Sequence, residues 1–158
     1  MLSQEAIGEI HRIAEEYPEP RSALIPALYI AQRENGGYCS SDVLAEVAEV
    51  LRLTPGYVRS VASFYTMIYK SPVGKHVVDV CTNLACQLRG AQETIAYIGG
   101  RIICPIEGNS EDGRFTLHAV ECLGYCDIAP MMQINDKTYG PLTHDTINTI
   151  LAEYEKDA

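Results

Sequence analysis

No apolar run among the 158 residues approaches the roughly 20 that a helix needs to cross a bilayer, so a membrane-embedded chain is not expected. A basic surplus is missing as well. Against 12 Lys and Arg stand 21 Asp and Glu, a formal net charge of -9, which disfavours nucleic acid as a partner because its phosphates need clustered cations. An anionic face toward a basic protein remains allowed. Residues Met1 to Glu5 have neither the basic region nor the apolar stretch of a signal peptide, so reducing cytoplasm is the expected compartment. There is no G-x-G-x-x-G and no other phosphate-cradling loop, so a nucleotide or flavin site of the chain's own is not expected. C-x-x-C, the usual spacing of redox dithiols and of structural zinc knuckles, is absent too.

What is present is a globular composition, 47% hydrophobic and 21% charged, with a break at Ser71-Pro72-Val73-Gly74. The break separates an expected helical part, 1–72, from an expected mixed part, 73–158. In the first part Ser3 can cap a helix running to about Tyr17, with Ile7, Ile10, Ile13 and Ala14 at helical spacing. A second helix is expected from about Arg21 to Asn35, where Pro26 is tolerable only near the first turn and Gly36-Gly37 stops the helix. A third starts at Ser40 or Ser41 and buries Val43, Leu44, Val47, Val50 and Leu51. The fourth is capped by Thr54, has Pro55 in the first helical position, and carries Val58, Val61, Ala62, Tyr65 and Ile68. Four amphipathic helices make an antiparallel helical bundle. The aromatic group Phe64, Tyr65, Ile68 and Tyr69 at its end reads as core or as a partner-docking face, core being the commoner use of that spacing. His11 reads as a solvated helix residue and Cys39 as an inert thiol.

In the second part His76–Cys81 reads as a buried strand delivering Cys81 at its end. A loop then carries Cys86 into a helix from about Arg89 to Ile98 that Gly99-Gly100 closes, and Cys104 to Gly113 reads as a surface loop. Phe115, Leu117 and Ala119 alternate with Thr116, His118 and Val120 in a second strand that delivers Cys122. Met131 to Asn135 is a third strand, and Lys137 to Tyr139 a short edge strand. Thr143 caps a last helix with Ile147, Ile150, Leu151 and Tyr154 inward. A small sheet entered strand-helix-strand and left strand-strand-helix is a thioredoxin-like plan, so the fold class is α+β. A proline entering a strand beside the site, as Pro130 does, would suit such a fold in the cis form.

Four of the six cysteines form two close pairs, C-x4-C at Cys81 and Cys86 and C-x3-C at Cys122 and Cys126, each where a strand runs out into a loop. Thiolates gathered in this way hold a soft metal centre, zinc or an iron–sulfur cluster. Both loops are wider than a zinc knuckle, which favours a two-iron cluster, since longer loops leave room for amides to bond its sulfurs. Gly124 suits an unusual backbone turn there. Zinc, a redox dithiol and a mixed site with His118 or His76 stay open on spacing. Both histidines read more naturally as structural, and Cys104 as a non-ligand.

Residues 81–86 (CTNLAC), followed by Arg89-Gly90, then 112–117 (DGRFTL), 121–126 (ECLGYC), Ala129-Pro130-Met131 and 133–136 (QIND), resemble the thioredoxin-like 2Fe-2S subunit of respiratory complex I, the NADH:quinone oxidoreductase (NADH dehydrogenase) of respiratory chains. Tyr17-Pro18, 21–28 (RSALIPAL), 32–36 (QRENG) and 61–67 (VASFYTM) resemble the helical part of the same family. The resemblance implies that Cys81, Cys86, Cys122 and Cys126 ligate one 2Fe-2S cluster. It also implies docking onto an FMN- and NADH-binding flavoprotein subunit, from whose flavin single electrons arrive, and contact with the large iron–sulfur subunit of the same module. NADH and FMN then belong to the partner only, no residue of this chain is catalytic, and the complex sits on the cytoplasmic face of the membrane. Tyr125 and Asp127 depart from the family's smaller or neutral residues. Two other readings accompany this one: the equivalent subunit of a soluble NAD-linked hydrogenase or formate dehydrogenase, and a zinc-stapled interaction module.

Overall fold

The computed structural model describes residues 1–156. The chain divides into two compact units, Met1–Pro72 and Val73–Ala158.

In the first unit Ser3 accepts the N–H of Ala6 and opens α1 (Gln4–Glu15), with Glu5 in its first turn and Arg12 in its last, as the helix dipole favours. The helix stops at Glu15, short of the expected Tyr17, and residues 16–19 turn toward Pro20. Pro20–Ala23 form a 3-10 turn rather than the start of the second helix, because Pro18 and Pro20 break the backbone ladder; α2 (Leu24–Glu34) follows with Pro26 in its first turn. Ser40 caps α3 (Ser41–Val50), and Thr54 caps α4 (Pro55–Phe64). These helices share one core that includes Ile10, Leu28, Val47, Val58, Ala62 and Ile68. The fourth helix was expected to carry Tyr65 and Ile68. Instead it ends at Phe64, Tyr65 takes an extended conformation, and Ile68 reaches the core from the turn beyond. That turn is held by Gln32, whose side chain donates to Met67 O at 3.1 Å and accepts from Tyr69 N at 2.8 Å.

In the second unit β1 (His76–Cys81) is followed by the short α5 (Leu84–Leu88), then α6 (Ala91–Arg101), β2 (Gly108–Asn109), β3 (Phe115–Val120), β4 (Met132–Ile134), β5 (Lys137–Tyr139) and α7 (His144–Glu155). The strand order is β2-β3-β1-β4-β5, with β1 and β3 parallel and the other pairs antiparallel. A parallel neighbour requires a crossover, and α6 supplies it. Val78, Val80, Leu117, Met132 and Ile134 of the sheet pack with Ile95 and Ile98 of α6 and Ile147 and Leu151 of α7. The peptides before Pro130 and Pro141 are both cis.

Four local expectations need correction. Cys86 lies inside a helix of its own, α5, too short to show a periodic pattern. Gly99-Gly100 do not close α6, which continues to Arg101; a Cβ at Gly99 would sit 3.0 Å from Cys104 O, so the glycine serves close packing rather than termination. The expected loop from Cys104 contains β2, and Cys104 is buried. The alternation of β3 also fails. Thr116 is buried because its hydroxyl is doubly bonded, accepting from Gly74 N at 2.6 Å and donating to Asn109 Oδ1 at 2.7 Å, whereas Ala119 is exposed and its N–H donates to Glu107 Oε1 at 2.8 Å.

The ends of α6 and α7 are joined by a bidentate pair, Arg101 to Glu155 at 2.6 and 3.0 Å. The guanidinium holds the Glu155 carboxyl below its ordinary value of 4.5. A carboxylate depressed in the folded state adds stability above its unfolded value and loses it as pH falls through the folded one. The pair is one-third exposed, so the effect is small. The thermal melting gap between wild type and Arg101→Met should therefore close as pH is lowered below 4.5, as followed by circular dichroism.

Candidate metal centre

Parallel pairing of β1 with β3 sets Cys81 opposite Val120, so the segments leaving both strands depart from the same end of the sheet. Two ties fix that exit. Cys81 N–H donates to Met131 O at 3.2 Å, and Thr82 donates to Val120 O through its N–H at 2.8 Å and its hydroxyl at 2.9 Å. Asn83 then opens α5, its side chain accepting Leu84 N–H at 2.8 Å. Within that turn and a half the faces are sharply divided: Cys86 is 2% exposed, Leu84 71% and Leu88 79%.

The second pair comes from the segment after β3. Gly124 adopts a φ of +84°, a left-handed conformation that costs glycine little, and this turns the chain between Cys122 and Cys126. Cys126 opens a 3-10 turn, Cys126–Ile128, that leads into Ala129 and Pro130. Cys122 and Cys126 are exposed, whereas Cys81 and Cys86 are buried with Ala91, Ala129 and Met131 in a small apolar cluster of their own.

The thiols interact with one another: Cys81 with Cys86 and Cys122, Cys122 with Cys126, and Cys126 also with Cys81 and Cys86. Backbone amides point at the buried pair, those of Leu123 and Asn83 at Cys81 and that of Met131 at Cys86. Burial pushes the Cys81 thiol up, but the two amides and the neighbouring thiols outweigh it and leave Cys81 below the ordinary thiol range. Cys86 is raised, by burial first and then by Cys81. Cys126 is raised too, first by desolvation of its thiol against the neighbouring groups and then by Cys122. Such amides matter because they stabilise thiolate charge and, around iron–sulfur centres, set the potential.

The other candidates lie elsewhere. Cys104 has its sulfur 3.2 Å from Gly108 O, inside the main core of the second unit. Cys39 belongs to the first unit, where burial lifts it to about 11. His118 sits on the sheet with Asp79 at 3.0 Å, a pairing that raises its pKa. His76 is buried against the rings of Tyr154 and Phe115. Among the described residues no three His, Cys, Asp or Glu side chains close to the spacing of a single metal ion. The thiols of Cys81, Cys86, Cys122 and Cys126 instead interact with one another at this end of the sheet. Sequence reasoning missed Leu84 and Leu88 as a rim around Cys86, and Asn83 as the cap that aims α5. An Asn three residues before a cysteine, with leucines two residues either side of that cysteine, was the available signal.

Parallel strands that bring two thiol pairs to one amide-lined end of a small sheet make a site with the donors a soft metal centre requires. The sequence model of the Thioredoxin-like 2Fe-2S ferredoxin family matches residues 10–155, and the chain belongs to that family. Its cofactor is one 2Fe-2S cluster. It is similar to the mitochondrial NADH dehydrogenase (ubiquinone) flavoprotein 2 of Dictyostelium discoideum, 41% identical over 152 residues, which are 94% of this chain and 62% of that protein. An NADH-quinone oxidoreductase subunit of Rhizobium meliloti (strain 1021) is 36% identical over 146 residues, 92% of this chain and 86% of that protein. Among solved structures, an NAD+-reducing NiFe-hydrogenase in the air-oxidized state shares the fold, with a TM-score of 0.72 at 20% identity over 85% of this chain and 23% of that one. No helix among the described residues is long and apolar enough to cross a membrane.

Proposed function

We propose that Cys81, Cys86, Cys122 and Cys126 ligate the cluster and that the chain is the electron-transfer subunit of the NADH-oxidising module of an NADH:quinone oxidoreductase. In this reading 1–72 is a helical domain and 73–158 the cluster domain. The observation that carries it is the meeting of four thiols, with three backbone amides aimed at two of them, at one end of the sheet. The donor set fits the group: soft sulfur donors, a partly apolar lining, and amides placed to offset negative charge.

The cluster, when bound, takes up and releases one electron at a time. Everything else falls to the protein. Cys81 and Cys86 hold from the buried side, Cys122 and Cys126 from the rim, and Met131, Ala129 and Ala91 exclude water behind them. Leu84, Leu88 and Tyr125 stand exposed around that end and present an apolar rim to an electron donor or acceptor. No side chain needs to act as acid, base or nucleophile. The partners in this reading are an FMN- and NADH-binding flavoprotein subunit and the large iron–sulfur subunit, held on the cytoplasmic face of the membrane through the complex. The relatives' names support it, as does an identity of 36% or more over nearly the whole chain.

Co-expression with a flavoprotein subunit tests this reading. A stable complex containing flavin, with an electron paramagnetic resonance signal from this chain after dithionite, is the expected result; a chain that elutes alone contradicts it. The soluble hydrogenase subunit is a second reading, favoured by the shared fold of the NAD+-reducing hydrogenase. Hydrogenase genes beside this one, in place of quinone-module genes, would decide for it.

Asp127 lies next to Cys126 and is exposed. A carboxylate there disfavours the more negative, reduced cluster. Asp127→Asn should raise the reduction potential in a dithionite titration followed by paramagnetic resonance, and an unchanged or lower potential would contradict this role.

A further inference from the structure

In the unit Met1–Pro72 every carboxylate lies before Val50, the last being Glu49. Residues 50–72 contain Arg52, Arg59 and Lys70, all exposed, and no acid at all. In a chain of net charge -9 this is a local reversal of sign. The same stretch carries the largest exposed apolar side chains of α4 and the turn after it: Tyr57 at 43%, Phe64 at 78% and Met67 at 45%. Tyr57, Val61 and Phe64 follow one another at i, i+4 and i+7 and so share a helix face.

Two further features shape that face. The hydroxyls of Ser60 and Ser63 donate to the helix's own carbonyls, Tyr57 O at 2.8 Å and Ser60 O at 2.9 Å, so their protons are already engaged. The turn behind Phe64 is held from within: Ile68 is buried, Gln32 bonds Met67 and Tyr69, and Cys39 N–H donates to Tyr69 O at 2.7 Å. The Phe64 ring rests edge-on against Tyr65, with centroids 5.2 Å apart. Apolar side chains held outward on a fixed scaffold, in a stretch whose own charged residues are all cations, have the anatomy of a protein interface; the nearest acids in the fold's order are Asp42, Glu46 and Glu49 on the adjoining α3.

We propose that the Tyr57–Met67 face is a docking surface for an acidic protein surface with an apolar pocket that receives Phe64, and that this surface belongs to the flavin-carrying partner. The identity of the occupant rests on the function proposed above; its chemistry rests on charge complementarity with Arg52, Arg59 and Lys70. Nucleic acid would have to overcome the net charge of -9 with three cations.

The test uses the full cluster-loaded chain and separately purified flavoprotein subunit in a calorimetric titration at low and high salt. Phe64→Asp and Arg59→Glu should each weaken binding by about tenfold or more, wild-type binding should weaken with salt, and the melting temperature and cluster signal should stay unchanged. Wild type that binds while both variants bind equally well overturns this face and leaves the assembly standing. Wild type that does not bind at all sinks the assembly reading and this occupant together. Two other outcomes also overturn the proposal. One is a drop of many degrees in the melting temperature of Phe64→Asp, which would mean the face is covered within the chain. The other is binding to phosphatidylglycerol vesicles that Phe64→Asp abolishes, which would point to a lipid surface.

Discussion

Cys86→Ser should lose the cluster. Iron should fall from about two per chain toward zero, together with the paramagnetic signal of the dithionite-reduced protein. Cys86 is 2% exposed inside α5, so water cannot easily replace its sulfur, and the backbone that carries it is tied by the Asn83 cap. Serine offers a harder, shorter donor that is mismatched to iron–sulfur chemistry. Cys81→Ser should behave alike, because Cys81 links Cys86 to Cys122 and receives two amides. The decisive contrast is with Cys104→Ala and Cys39→Ala. Both remove buried thiols, so both should cost stability, yet neither should change the iron content. A Cys104 variant without iron would mean that the ligand set is wrong.

Gly140→Ala should damage the site from outside it. A Cβ at this position would collide with the carbonyl oxygen of Ile128 and lie 3.1 Å from Met131 Cβ. Ile128 closes the 3-10 turn that Cys126 opens, and Met131 lies behind the buried thiols, so the clash falls on two supports of the centre. The closest of these atoms is a backbone oxygen, and no rotamer change can move it or the added Cβ. The expected loss is about 1–3 kcal/mol in denaturant unfolding, accompanied by a changed resonance line shape. Gly100→Ala supplies the control. It lies within α6 with nothing within 4 Å of an added Cβ, and there alanine should stabilise by roughly 0.5–1 kcal/mol. Equal effects from the two substitutions would show that Gly140 has no special place.

Much of this molecule could be read in advance because its signals are local. Ser3, Ser40, Thr54 and Thr143 each cap a helix through their own side chains, and such caps show in any sequence as a small polar residue before an apolar repeat. His76–Cys81 and Phe115–Val120 were legible as strands, and their ends as the place where an open sheet gathers groups. What stayed hidden was decided by tertiary contacts. Thr116 is buried because Gly74 and Asn109 meet its hydroxyl. Gly99 stays helical because Cys104 and Leu117 press against it. The end of α4 at Phe64 has no glycine or proline to announce it. It follows from the pull of Ile68 into the core and from Gln32, more than thirty residues earlier in the chain, bonding the turn. The exposed rim of Leu84 and Leu88 was hidden for a related reason, since α5 has only five residues and no amphipathic period can be read in so short a helix.

The cluster itself is tested most directly by metal and labile-sulfide analysis of the anaerobically purified wild-type chain, with paramagnetic resonance before and after dithionite. About two irons and two sulfides per chain, silent as isolated and giving a one-electron signal on reduction, is the predicted result. One zinc per chain, no iron, and no signal even after reconstitution with iron and sulfide would contradict it and leave an interaction module held by zinc.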